Sequence, residues 1–313
     1  MLNSRIRRAY WTTIAILLGA ASPAWPWGHE GHRVVARVAA KNLTADTRTK
    51  IAAILGTNDA ALEAAMADAA TWPDQIDKVK TKTGNWHFID VPVTAPFALG
   101  TLCATHDCVL DRIAEMSDRL RTNQSGFTLA SPPSPPRPMT SQEMAFLIHF
   151  VGDIHQPLHS ANDGDRGGNC ENLVKALKSG SKELHAVWDT DEVLAVFQVL
   201  GNEDATSAAL FQQFKDGAQV AQAAPVDWAH EANDLARQDI YKKLNLPNHT
   251  GPAGKCASGI AKVAVDQAYL DGNEKDVERQ LLRAGIRLSN LLNEICSGDG
   301  CQANPGGNGK KKK

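Results

Sequence analysis

Residues 145–159 read Ala-Phe-Leu-Ile-His-Phe-Val-Gly-Asp-Ile-His-Gln-Pro-Leu-His. The stretch is apolar enough to belong in a core, yet it carries three imidazoles and a carboxylate. Four helical residues turn about 400°, so His149 and Asp153 share one face, a turn apart. A buried imidazole beside a buried carboxylate needs a partner, and a hard or borderline cation is a good one. Pro157 ends the helix, which lets His159 fold back toward the same pocket. His155 lies about 120° off that face and reads as a packing residue. The spacing recurs in His185-Ala186-Val187-Trp188-Asp189. Two such pairs predict two helices aimed at one polynuclear metal site. Trp188 reads as packing, and Asp191 as a carboxylate that orients a histidine.

Other residues carry weaker signals singly. Asp74 follows Trp72-Pro73, and His87 precedes Phe88 and Asp90. A ring to stack on and a carboxylate to accept from ring N–H groups suit a base pocket. Trp27-Gly28-His29-Glu30-Gly31-His32 lies where a mature chain would begin. A free α-amine has an unperturbed pKa near 7.7 and ligates a metal once deprotonated. The carbonyl of the same residue would complete a chelate. A lone histidine among these is more often a hydrogen-bonded core residue than a ligand; the matched carboxylates tip the set toward metal.

The chain has 313 residues, enough to bury a core without a metal's help. Residues 1–26 read as an export signal: Arg5, Arg7 and Arg8, then a short apolar run from Thr12 to Ala21, then small residues. Six cysteines fit an oxidising compartment, so the expected location is secreted or periplasmic. Cys103 is near Cys108 and Cys296 near Cys301, which would leave Cys170 and Cys256 for a long bridge; other pairings stay open. Without the basic signal and the Lys310–Lys313 tail, 26 basic side chains face 35 acidic ones. Such a body is a poor electrostatic glue for duplex DNA. Bound divalent ions would reverse the field locally and draw a phosphate to themselves. No run after the signal is long enough to span a bilayer, so no stable membrane association is expected.

The hydrophobic periodicity predicts an all-α chain. Helices are expected over Arg33–Leu55, divided near Thr44, and over Ala60–Ala70 and Leu110–Leu120. More follow at about 141–155, 171–179 and 182–199, then Asp227–Leu244 and Ala261–Ile295. Trp72-Pro73-Asp74 reads as a boundary at which proline opens a new element. Trp86–Val93 reads as extended, and the five prolines of Ser131–Pro138 as a surface loop. One domain is expected from Trp27 to Cys301, with residues 302–313 a disordered Gly- and Lys-rich tail.

Taken in order, Trp-Gly-x-x-Gly-His, Trp-Pro-Asp, Trp-His-Phe-Ile-Asp, His-Phe-Val-Gly-Asp-Ile-His-Gln-Pro-Leu-His, Gly-Asp-x-Gly-Gly-Asn and Leu-His-x-Val-Trp-Asp resemble the S1/P1 nucleases. That family shares its fold with zinc-dependent phospholipases C. The resemblance spans Trp27 to about Ile295 and implies three zinc ions. Asp74, His87, His149 and Asp153 would hold the first, and His159, His185 and Asp189 the second. The third would take the Trp27 amine and carbonyl, His32 and a shared oxygen of Asp153. Phe88 and Asp90 match the family's base-binding positions. The implied activity is endonucleolytic hydrolysis of single-stranded DNA and RNA to 5′-phosphorylated products, with 3′-nucleotidase activity, by a monomer. Asp153, bridging two ions beside an activated water, would be the catalytic carboxylate. Two features depart from the family. Asp77 stands where an arginine often does, with Lys78 next to it. Exposing Trp27 would require cleavage after Pro26, so signal cleavage after Ala24 and trimming of Trp25-Pro26 are expected. The rival readings are a phospholipase C acting on lipid head groups and an exported zinc-binding protein without turnover.

Overall fold

The computed structural model describes residues 27–94, 103, 106–124, 129–134, 137–249, 255–256 and 260–303. Helix α6 (Met139–Asp153) is the organising element: every residue from Thr140 to Asp153 is buried. A helix apolar all round must be surrounded. Helices α3 (Leu62–Gln75) and α5 (Val109–Thr122) pack directly on it. Helix α1 (His29–Lys41) lies across α3, and α12 (Glu274–Ile295) closes the far side against α1 and α6. Phe146 and Phe150 stack on each other, with Trp72 and Trp86 edge-on to Phe146. Each such buried side chain stabilises the fold by about 1.5–3 kcal/mol.

The predicted division near Thr44 is present: α1 ends at Lys41 and α2 (Ala45–Leu55) starts with Thr44 as its cap, Oγ1 accepting from Thr47 N. The short α4 (Lys78–Thr81) is capped by Asp77, which accepts from Val79 N and Lys80 N. Among the described residues there is no strand, only three isolated bridges. The all-α expectation therefore holds.

Expectations on several elements need correction. Pro73 opens nothing: α3 runs through it to Gln75. Proline removes the N–H that would bond Ala69 O, and the helix ends two residues later. Residues 171–179 are not helical; Leu173 N bonds Lys182 O and Val174 N bonds Val263 O, so their pairing is non-local. For the same reason Ala261–Asp266 is not helical, and the last segment forms α11 (Gln267–Asp271) and α12. Helix α9 (Glu203–Lys215), unanticipated, starts at an Asn202 cap that accepts from Ala205 N.

The segment expected as one helix at 182–199 is composite: α7 (Leu184–Ala186), a π-turn at Val187–Asp191, and α8 (Glu192–Leu200). A second π-turn, Ala236–Tyr241, continues α10 (Pro225–Leu235). Disulfides join Cys103–Cys108, Cys170–Cys256 and Cys296–Cys301. No helix of the described residues is long and apolar enough to cross a membrane. The export signal expected at 1–26 lies outside the described residues, as does most of the expected tail. Gln302 is ordered, its N donating to Asn123 Oδ1 at 2.7 Å.

Candidate metal centre

The C-terminal turn of α6 delivers His149 and Asp153 to one point. His149 Nε2 lies 3.1 Å from Asp153 Oδ2, and His87 Nδ1 lies 3.0 Å from the same oxygen. The two ring nitrogens are 2.9 Å apart. Asp74, from the end of α3, places Oδ1 at 3.6 Å from His149 Nε2 and 3.8 Å from His87 Nδ1. The first expected ligand set is thus together. The second is too: His159, His185 and Asp189 hold their ligand atoms within 4.8 Å of one another.

Asp153 faces both ways. Oδ2 meets His87 and His149, whereas Oδ1 lies 3.3 Å from His32 Nε2. The His32 ring stacks on His149 with centroids 3.9 Å apart, which also brings it into a group with Asp74. Gly152 makes this approach possible, since a Cβ there would sit 2.7 Å from His32 Nδ1. Trp27 is fully buried beside the start of α1, and the adjoining Gly28 N donates to Asp189 O at 2.5 Å. The chain start is thereby tied to the π-turn carrying the second set.

Three imidazoles are held in one tautomer. His149 Nδ1 donates to Ala70 O at 2.6 Å, His159 Nδ1 to His87 O at 2.8 Å and His185 Nδ1 to Gly167 O at 2.6 Å. A carbonyl only accepts, so Nδ1 carries a proton, and whenever the ring is neutral its Nε2 presents the lone pair. Gly167 reaches its position at φ +60°, where a Cβ would collide with Leu158 O at 2.4 Å. Among the described residues Asp191, expected to orient a histidine, forms no hydrogen bond to one; backbone carbonyls take that role. Trp188 packs, its Nε1 donating to Tyr269 OH. His155 lies away from the cluster, between Val151 O and Arg287.

Whether a cation fits is answered by the atoms left over. His32 Nε2, Asp153 Oδ1, His159 Nε2 and Asp189 Oδ2 are buried without a hydrogen bond. Buried polar groups are seldom orphaned, and these lie among the two ligand groups. The donor set, imidazole nitrogen and carboxylate oxygen, is the one zinc takes. Electrostatics agree. Burial pushes Asp189 well above the usual carboxylate range, with Asp74 and Asp153 adding to the rise. Burial, the largest single influence, would raise Asp153 too, but the surrounding imidazoles of His149, His159 and His32 together outweigh it and hold Asp153 well below that range. Burial lowers His87 to about 4 and His159 to about 3, keeping both neutral and ready to ligate in mild acid. A further group, Cys103, Cys108 and Asp111, is unavailable because its cysteines are bridged.

A cavity of about 300 Å³ opens onto these ligands, with His87, Phe88, Asp90, His159 and His185 in its wall. Phe88 and Asp90 are therefore brought to the site, and Asn162 Nδ2 donates to Asp90 Oδ1 at 3.0 Å. Two participants were not foreseen. Lys78 Nζ lies 2.5 Å from Asp74 Oδ1, a spacing of four readable in the sequence. Gln156 Nε2 donates to Asp189 Oδ1 at 2.6 Å, joining the end of α6 to the π-turn. Asp77 caps α4 and stays out of the cavity.

A family model described as S1/P1 Nuclease matches residues 27–297. Among curated relatives, Endonuclease 3 of Arabidopsis thaliana is 26% identical over 93% of this chain and 96% of its own. Nuclease P1 of Penicillium citrinum is 27% identical over 86% and 97%. Nuclease S1 of Aspergillus oryzae is 24% identical over 90% and 96%. With a helical scaffold, convergent histidines and aspartates, and this match along its length, the chain belongs to the S1/P1 nuclease family and is a phosphodiester hydrolase.

Proposed function

We propose that this protein is a secreted or periplasmic zinc-dependent endonuclease. It cleaves single-stranded DNA and RNA to 5′-phosphorylated products and removes 3′-phosphates from nucleotides, acting as a monomer. The observation that carries the reading is the two-faced Asp153, with imidazoles against both of its oxygens. Three zinc ions would be held by Asp74, His87, His149 and Asp153; by His159, His185 and Asp189; and by His32, Asp153 and the Trp27 amine and carbonyl. The Trp27 ligands require removal of residues 1–26. Three disulfides support export from the cytosol.

Bound zinc supplies Lewis acidity and a water made nucleophilic near neutral pH. The protein's own side chains do the rest. Asp153 turns Oδ2 to His87 and His149 and Oδ1 to His32, so it would offer an oxygen to each of two ligand groups. Phe88 offers its ring to a base, and Asp90, steadied by Asn162, accepts from that base's N–H groups. A base can reach Phe88 only after leaving the duplex, which favours single strands. His149, His159 and His185 keep their lone pairs aimed inward through their carbonyl partners.

The test is metal analysis of the purified protein with parallel turnover of single-stranded DNA, RNA and a phosphocholine ester. Zinc with nuclease turnover is expected; preferential hydrolysis of the phosphocholine ester, or zinc without turnover, overturns the reading. Phe88→Ala should reduce single-strand cleavage by about ten- to hundredfold, given the worth of base stacking. It should leave a generic aryl phosphodiester nearly untouched; equal losses on both would remove Phe88 from the base pocket.

A further inference from the structure

Two cationic side chains, Lys78 and Arg166, stand in the wall of the cavity, and they are not equivalent. The Lys78 ammonium lies against the Asp74 carboxylate at 2.5 Å. Arg166 is exposed, and its guanidinium makes no hydrogen bond or ion pair among the described residues; its charge is felt at Asp90. The backbone beneath it is held in an unusual state. Arg166 has φ +60°, a left-handed conformation that side-chain-bearing residues adopt at a cost. That state is enforced by the buried Asp165 carboxylate, which accepts from Asp163 N, Gly167 N, Gly168 N and Tyr241 OH. Asn169 Nδ2 then donates to Arg166 O at 2.8 Å. A rigid turn thus projects an unneutralised planar fork of donors into a cavity shared with Phe88, Asp90 and His185.

We infer that Arg166 is a substrate-binding residue that grips a phosphate of the nucleotide whose base lies against Phe88 and Asp90. The inference rests on the nuclease reading above and deepens it: it assigns a protein cation to the phosphate in a body that is otherwise acidic. A guanidinium matches two phosphate oxygens at once, which an ammonium does not. Arg166 therefore sets affinity for nucleotides over simple phosphodiesters, which offer no base to fix the phosphate beside it.

Arg166→Asn tests this, because asparagine tolerates the left-handed backbone and should leave the turn intact. For a 3′-phosphorylated mononucleotide, KM should rise about ten- to hundredfold, the worth of a charge-assisted hydrogen-bonded pair. KM for a generic aryl phosphodiester, zinc content and the melting temperature should stay at parental values. Arg166→Lys should recover only part of the loss. Unchanged nucleotide KM in both variants would overturn the assignment, as would a loss that tracks zinc content or melting temperature, which marks a structural role. If the parent itself hydrolyses no nucleotide substrate, the nuclease reading falls instead.

Discussion

His149–Asp153 and His185–Asp189 have the same spacing but are built differently. The first pair lies on a regular helix buried on every side. The second spans the junction of a three-residue helical turn and a π-turn, with His185 the less buried member. Their carboxylates part company accordingly. Asp153 is surrounded by imidazoles that hold it ionised, and burial would otherwise raise it. Asp189 has burial and two like charges raising it, opposed mainly by the Gln156 amide. Equal spacing in a sequence therefore supplies equal ligand types without supplying equal need for a cation. π-turns recur where a helix must re-aim side chains at a site, and this one aims Asp189.

The largest effect that can break the comparison is on turnover. Asp153→Asn should lower kcat by more than about hundredfold and reduce zinc stoichiometry by more than one ion, since its two oxygens serve different imidazoles. Asp189→Asn should lose about one ion. Equal stoichiometry in the two variants would show that the pairs are interchangeable after all.

The comparison sharpens in protein stripped of metal. Asp153→Asn should then destabilise the fold by about 3–5 kcal/mol, because buried partners lose their counter-charge. Asp189→Asn should be neutral or stabilising by about 1 kcal/mol, because it removes a buried charge while keeping an acceptor for Gln156. Denaturant titration in chelator, with disulfides intact, reads both; destabilisation by both to the same degree would contradict the electrostatic contrast.

Near neutral pH the smallest effect concerns His155, just beyond the end of α6. Burial first, and then the Arg287 charge, lower it to about 3. The unfolded chain, at about 6.5, binds the proton more readily. Stability from this group is therefore full above pH 6.5 and falls as pH drops toward 3, by about 1.4 kcal/mol per pH unit. His155→Gln should flatten the acid limb of the stability–pH curve by about one proton; an unchanged slope would place the acid sensitivity elsewhere.

Much of this was legible in the sequence, for reasons visible residue by residue. Helix α6 declared itself because its apolar run is continuous and Pro157 stops it. Asp74 and His87 could be placed only through the family resemblance, since nothing local says that the end of α3 and the segment after α4 meet. The π-turn was illegible: hydrophobic periodicity does not separate an α-turn from a π-turn over five residues. Residues 171–179 misled because Leu173, Val174 and Leu177 have helical spacing. In the fold, Leu173 joins a small second core with Val187, Ala195, Tyr269 and Leu270. Cys170 is also bridged to Cys256, a partner far along the chain. Asp165 and Gln156 went unnoticed because their function is to hold other residues, and only geometry reveals that.

Tyr241 illustrates how far that holding extends. Its hydroxyl bonds Asp165, Asp165 shapes the turn, the turn presents the Gly167 carbonyl, and that carbonyl fixes the His185 ring. Four links separate an aromatic side chain on a remote π-turn from the nitrogen that would meet a cation. A roster of residues taken from the cavity wall alone would leave out the phenol at the head of this relay.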